Sequence, residues 1–434
     1  MSARVHLVGI GGVGMSALAQ AYIDAGWAVS GSDRALASSG PRPGALAALA
    51  AQDVPLAPDD GSLVSADLDH VVVSTAIEDS NADLLRTKAL GVKVVHRAAA
   101  LAALLAPRKL LAVAGTCGKS TVTAILGHLL AECGFDPVVV NGAPIVGWDQ
   151  GGRRVGSTRP GGGEWAVAEV DESDKSLTAF SPYAAIVTNA SADHYSKEEM
   201  DEVFDAFTAD VPGPVVDGRR EPIAPSALAR EIPLPGEHNA VNAECALRLA
   251  RAVGADEASL AAAIRTFPGV ERRLQKVGVL RVGAPAPRDG APVLCDGVLA
   301  VAIYDDYAHN PEKLAAMWRT LAAAHPKGIA VVWRPHGYGP LRKMLAPLAA
   351  MLREMMRPQD ALFLLPVYDA GGTADRSVNS DALAALVPGA ELVQDLQEAE
   401  SVLRRRAPAF GAIATAGARD PGLPLLARRL AGIQ

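Results

Sequence analysis

Aromatic side chains make up only 4% of the 434 residues, and the chain has just four cysteines. Cys117, Cys133, Cys245 and Cys295 lie far apart with no C-x-x-C pair, which excludes a secretory disulfide framework. Long apolar runs are missing too. The richest, AAALAALLAP at 98–107, is bounded by Arg97 and Arg108 and is too short to span a bilayer. Nor is there a basic excess: 41 Lys and Arg against 48 Asp and Glu leave a formal charge of −7. That balance argues against wrapping nucleic acid. Anionic small substrates stay open, because glycine loops and single lysines act locally. The start, MSARVHLVGIGGVGMS, has no basic segment leading into an apolar core, so no signal peptide is legible. The expected setting is the reducing cytoplasm, away from membranes.

Half the residues are apolar and 21% are charged, a globular composition. At roughly 150 residues per domain, the length predicts about three domains. The pattern agrees. Val5–Ile10, WAVSGSD ending at Asp33, HVVVSTAI at 70–77 and VKVVH at 92–96 read as strands, with MSALAQAYIDAG as a helix between the first two. The alternation restarts with LLAVAG at 110–115 and again near Arg272, where LAVAIYDDYA, GIAVVWRPHG, DALFLLPVY and GAIATAG follow. GWDQGGRRVGSTRPGGGE reads as a loop or hairpin tip. The fold class is therefore α/β with three consecutive domains. They are an N-terminal Rossmann-like domain at 1–107, a central P-loop ATPase-like parallel sheet at 108–270, and a C-terminal Rossmann-like domain at 271–434.

AGTCGKST at 114–121 is the strongest local signal. A strand feeding a glycine turn into a helix aims backbone N–H groups at an anion. Gly115, Thr116 and Gly118 would form the cradle, Lys119 would reach the terminal phosphates, and Ser120, followed by Thr121, would offer a hydroxyl to Mg²⁺. Val113 stands where the full P-loop pattern has glycine, so this is a variant loop. GIGGVGMS supplies G-x-G-x-x-G at Gly9, Gly11 and Gly14, with Asp33 downstream. That turn suits a dinucleotide with Asp33 on a ribose, or equally the diphosphate of a nucleotide-sugar. Glu169, Asp171, Glu172 and Asp174 leave an apolar strand and could bind Mg²⁺ or form a solvated turn. Asn189, Asp193 and His194 follow another strand. Asn239 and Asn242 share a helix face and could read adenine, or Asn239 could cap the helix. Arg272, Arg273, Asp305, Asp306, Tyr307 and His309 close the set.

Taken in order, GIGGVGMS, GSD, STAI, GTCGKST, AEVDESD, VTNASADH, GEHNAVNA, FPGVERR, DDYAHNP and RPHGY resemble the Mur ligase family, the ATP-dependent amide-forming enzymes of peptidoglycan precursor synthesis. Within it the motifs are most similar to the branch that joins L-alanine to UDP-N-acetylmuramate. The resemblance implies ATP and Mg²⁺ as cofactors, a UDP-sugar and an amino acid as partners, and a monomer or homodimer. It implies that the sugar's carboxylate attacks ATP to give an acyl phosphate, which the amine then captures. By motif, Lys119 and Ser120 bind phosphates and one Mg²⁺ with Glu169, while His194 serves a second. Asn239 and Asn242 meet adenine, Arg273 the γ-phosphate and Asp306 the ribose. Gly11, Gly12, Gly14, Met15, Asp33 and Ser74 hold the UDP-sugar, and Tyr307 and His309 face the amine.

Where that branch has an arginine-rich run after P-H, Gly337-Tyr338-Gly339-Pro340 stands here, with Arg342 displaced. This departure bears on the acceptor, since such arginines would clamp the amino acid carboxylate. Asn310 replaces a second His, Ser120 a Thr, and Cys117 a His or Asn. A diverged ligase with another amine is the first alternative. An NAD(P)-dependent oxidoreductase and a non-catalytic nucleotide-binding protein are the others.

Overall fold

β-branched and alanine-rich runs form three sheets, and glycine turns carry the first strand of each of the first two into its helix. The computed structural model describes residues 2–37, 44–171, 176–190, 197–283, 299–369 and 375–433. In the first sheet β1 (Arg4–Val8), β2 (Ala28–Ser32), β3 (Leu56–Ala57), β4 (His70–Val73) and β5 (Val94–His96) are all parallel, ordered β3-β2-β1-β4-β5. Helices α1 (Val13–Asp24), α2 (Gly44–Ala50), α3 (Ala82–Leu90) and α4 (Arg97–Leu105) alternate with them. Strand order reverses between β1 and β4. A crevice opens at such a reversal, outside the carboxyl ends of the strands.

The second sheet contains β6 (Lys109–Ala114), β7 (Val138–Val140), β8 (Thr158–Arg159), β9 (Trp165–Glu169), β10 (Ala184–Val187) and β11 (Val215–Asp217), ordered β11-β10-β6-β9-β7-β8. All neighbours are parallel except β8, which runs against β7 inside the glycine-rich segment read as a hairpin tip. Helices α5 (Lys119–Glu132), α6 (Lys197–Ala209), α7 (Glu237–Ala252) and α8 (Glu257–Arg265) belong to this sheet. Leu111 to Ala114 of β6 are fully buried. Parallel strands covered on both faces read as unbroken apolar runs, as LLAVA does. Truncating Leu111 to alanine would cost about 2–5 kcal/mol.

One apolar cluster runs through both sheets, taking in Leu7, Leu18 and Leu101 of the first and Ala112, Ala168 and Phe204 of the second. Both therefore belong to one compact unit, Met1–Val270. The 107/108 division read from the sequence falls in the turn between α4 and β6, and the core crosses it.

The second unit, Glu271–Gln434, has its own sheet of β12 (Gln275–Val282), β13 (Leu299–Asp306), β14 (Ile329–Trp333), β15 (Ala361–Leu364), β16 (Ala390–Leu392) and β17 (Ala412–Ala416), ordered β12-β13-β17-β14-β15-β16. β12 runs antiparallel to β13 and the other neighbours are parallel. This edge strand is absent from the sequence reading, because KVGVLRV mixes charge and glycine. Helices α9 (Pro311–Ala324), α10 (Tyr338–Met355), α11 (Ser380–Ala384), α12 (Leu396–Arg406) and α13 (Gly422–Leu430) complete it. Asn310 has a local task here: its side chain accepts from Lys313 N at 3.0 Å and caps α9 ahead of Pro311, a strong helix start. Among the described residues no helix is long and apolar enough to cross a membrane.

Candidate active site

The phosphate-loop segment lies at the carboxyl ends of three neighbouring strands. Val113 of β6 pairs with Glu169 of β9, and Ala114 pairs with Val187 of β10. The chain leaves β6 through Gly115 at φ 125°, where any Cβ would stand 2.1 Å from Thr188 Oγ1, so only glycine fits. Thr188 Oγ1 donates to Cys117 O at 2.6 Å, and Thr116 Oγ1 donates to Asn189 Oδ1 at 2.7 Å. Lys119, first residue of α5, folds its Nζ back to 2.7 Å from Gly115 O. Gly118 precedes α5 with no side-chain cap. The first-turn amides, which have no intrahelical acceptor, therefore face outward with the positive end of the helix dipole. Ser120 and Thr121 are buried behind them.

Glu169 ends β9 one strand over. Its Oε2 accepts from Gly142 N at 2.8 Å, and a Cβ on Gly142 would meet that carboxylate at 2.3 Å. The carboxylate lines a cavity of about 370 Å³. Gly12, Gly14 and Met15 of the amino-terminal glycine turn form one wall, with Ser74 and Thr75 beyond β4. Arg97 at the start of α4 forms another, while Asn141, Gly142, Glu169 and Asp171 close the side toward the second sheet. Of the sequence-predicted residues, this cavity brings together Gly12, Gly14, Met15, Ser74, Glu169 and Asp171. Gly11 and Asp33 are tied to each other instead: Asp33 Oδ2 accepts from Gly11 N and Oδ1 from Ala35 N, both at 2.9 Å. What Asp33 does in the structure is close the turn. Asp193 and His194 lie outside the described residues, as do Glu172, Asp174 and Lys175.

On α7, Asn239 is buried and its Nδ2 donates to Pro235 O at 2.7 Å. The helix is capped by Gly236 and not by Asn239, which corrects the capping alternative. Asn242 stands beside the phosphate loop, its Oδ1 being 2.7 Å from any Cβ built on Gly118.

In the second unit the ends of β13, β14 and β17 are adjacent. Arg272 Nε donates to Asp305 Oδ2 at 3.0 Å, and its Nη2 donates to Gly417 O. Arg273 stacks over Tyr307 at 5.6 Å and hydrogen-bonds no described residue. Of the pair, Arg272 is structural and Arg273 is the available cation. Asp306 is only 9% exposed. It accepts from Leu274 N at 2.6 Å and Ala308 N at 2.7 Å, and burial pushes its carboxyl up to about 6. Its visible task is to pin the strand end, whereas the sequence reading had it on a ribose. Burial pushes His309 down to about 4, so its ring is neutral at pH 7. Its Nδ1–H donates to Tyr307 O at 2.9 Å, and the ring meets His336 edge to face at 4.9 Å. The sequence reading missed His336, although its place after β14 in RPHGY was the available signal.

Two family models match the chain: "Mur ligase family, catalytic domain" over residues 4–109 and "Mur ligase, glutamate ligase domain" over 295–419. A UDP-N-acetylmuramate–L-alanine ligase of Laribacter hongkongensis is 30% identical over 437 residues, covering 88% of this chain and 87% of that protein. Its counterpart in Stenotrophomonas maltophilia is 31% identical over 434 residues, covering 88% and 85%. The crystal structure of a UDP-N-acetylmuramate-alanine ligase from Thermotoga maritima superposes with a TM-score of 0.75 at 24% identity, covering 99% of this chain and 98% of that one.

Proposed function

The chain belongs to the Mur ligase family of ATP-dependent amide-bond ligases, and from that premise we propose that it joins L-alanine to UDP-N-acetylmuramate. The observation that carries this reading is the shared cavity: Gly12, Gly14 and Ser74, read as the nucleotide-sugar site, line it together with Glu169. Glu169 in turn is paired in register with the strand that feeds the phosphate loop. The nicotinamide reading of the first glycine turn is set aside with the family assignment. Three domains serve the reaction in this proposal, at 1–107, 108–270 and 271–434.

The chemistry runs in two displacements. An oxygen of the sugar-borne carboxylate attacks the γ-phosphorus of ATP, and ADP leaves with the electrons of the broken P–O bond. The amine nitrogen of alanine then attacks the acyl carbon, and inorganic phosphate leaves as the amide forms and the amine loses its proton. Phosphoryl transfer asks a protein mainly for positioning and charge neutralisation. The α5 amides from Gly118 onward cradle the phosphates, and Lys119 exchanges its bond to Gly115 O for a phosphate oxygen. Arg273 serves the γ-phosphate, and Asn242 with Asn239 serves adenine. Gly11 and Asp33 hold the uridine diphosphate turn in shape. Tyr307 and His309 serve the amino acid. A ring titrating near 4 is a weak base, so His309 orients the amine and does not take its proton.

A divalent cation, Mg²⁺ in this proposal, suits the donors present. Magnesium takes one or two carboxylates together with phosphates and waters, and needs no all-protein cage. Glu169 keeps one oxygen unused by Gly142 and would share one ion with the Ser120 hydroxyl, while His194 would serve a second. When bound, the ion would neutralise charge on the phosphates. Pure protein given ATP, MgCl₂, UDP-N-acetylmuramate and a panel of amino acids tests the function. Phosphate release with L-alanine is expected, and its absence with every amino acid would overturn the reading.

A further inference from the structure

Arg97 is a cation with almost nothing to bind. Its guanidinium carries five N–H donors, yet among the described residues it makes no hydrogen bond and has one ion pair, to Asp171 at 4.0 Å. Its side chain is only 20% exposed. At the cavity surface, with its donors unused by the described residues, the guanidinium is placed to take an anionic ligand. It lines the cavity together with Ser74 and Asp171. Its Nη1 lies 3.1 Å from where a Cβ on Gly14 would stand, so the missing side chain at Gly14 is what lets the guanidinium reach the first turn of α1.

The position of Arg97 is held from behind. His96 caps α4, its ring nitrogen 3.3 Å from Ala98 N, and Ala98, Leu101 and Leu105 are buried. The arginine thus leaves a fixed helix start. Its planar fork suits two oxygens of a phosphate better than a lysine would.

We propose that Arg97 binds the diphosphate of the nucleotide-sugar, and that Asp171 is its resting partner, displaced when the substrate enters. This rests on the function proposed above. Gly14 selects the diphosphate over the sugar's carboxylate, because the guanidinium is packed on the glycine turn. The carboxylate to be phosphorylated must lie toward Glu169 and the phosphate loop.

The test is calorimetric titration of UDP, UDP-N-acetylmuramate and ATP into wild type, Arg97→Ala, Arg97→Lys and Asp171→Asn. Arg97→Ala should weaken UDP and UDP-N-acetylmuramate alike by about tenfold or more, with ATP affinity retained. Arg97→Lys should recover part of the loss, and Asp171→Asn should bind UDP more tightly than wild type. UDP affinity unchanged in Arg97→Ala overturns the proposal. So does a loss confined to UDP-N-acetylmuramate, which would place Arg97 on the carboxylate, or an equal loss of UDP and ATP in both arginine variants, which would make it structural. No alanine is present in these titrations. A wild type that binds UDP yet makes no product with alanine therefore overturns the acceptor reading alone, while the variant comparison still decides Arg97.

Discussion

Asn189 holds Cys117 from both sides: its Oδ1 accepts from Cys117 N at 2.9 Å, and its Nδ2 donates to Cys117 O at 3.0 Å. A primary amide is among the few side chains able to satisfy both backbone groups of one residue. Through this clasp, together with the Thr188 hydroxyl on Cys117 O, the segment after β10 fixes the middle of the phosphate loop.

Removing the clasp should loosen the loop before ATP arrives, so part of the binding energy is spent on ordering it. Asn189→Ala is expected to raise the KM for ATP by about tenfold, equivalent to about 1.4 kcal/mol, while the KM for the UDP-sugar changes little. Steady-state kinetics with each substrate varied in turn check this, and an unchanged ATP KM would count against it.

Glu169→Gln keeps an oxygen to accept from Gly142 N but loses the charge. The fold should survive and UDP binding should persist, while kcat falls by about a hundredfold or more. Circular dichroism and phosphate release together separate this outcome from misfolding.

Arg154 and Asp24 form an ion pair at 2.7 Å with both side chains largely buried. Val155 N donates to Gln20 Oε1 at 3.0 Å beside it, which ties the glycine-rich segment to α1. Removing one partner of a pair this buried strands the other's charge. Arg154→Ala should lower Tm by several degrees, and Asp24→Ala combined with it should cost less than the two single losses summed. Thermal unfolding of the four proteins measures the coupling.

His309 is held near 4, against 6.5 for an ordinary histidine. Its unfolded form therefore binds more protons between those values, and its contribution to stability grows as pH rises through that window. The stability of wild type relative to His309→Asn should accordingly increase from pH 4 to pH 6.5 and stay level above. Asp306, raised to about 6, works in the opposite sense: its folded form binds more protons, so stability drains as pH climbs from about 4 to 6. Urea unfolding of both proteins across this range isolates the histidine, because Asp306 is common to them.

Much of the fold was legible because the first strand of each of the first two sheets hands over to its helix through glycine, at Gly9–Gly14 and Gly115–Gly118. The edge strand β12 was not, since exposed edge strands lack the unbroken apolar run that marks β6. The carboxylates were harder. Asp33 and Asp306 sit at strand ends where a ligand contact and a backbone clamp have the same local sequence, and only the folded chain shows Gly11 N, Ala35 N, Leu274 N and Ala308 N taking their oxygens. Arg97 read merely as the border of an apolar stretch, because its neighbours Gly14 and Asp171 are far away in the chain. Asn189 was visible as a candidate, but its partner Cys117, in the loop after β6, was not.

The central claim is that Lys119 and its loop activate a sugar-borne carboxylate by phosphorylation. Hydroxylamine added to enzyme, ATP, MgCl₂ and UDP-N-acetylmuramate, with no amino acid present, traps an acyl phosphate as a hydroxamate. Wild type should yield the UDP-N-acetylmuramoyl hydroxamate with stoichiometric ADP, and Lys119→Ala should yield neither. ADP formation indifferent to the sugar, or hydroxamate at the wild-type rate from Lys119→Ala, would contradict the account.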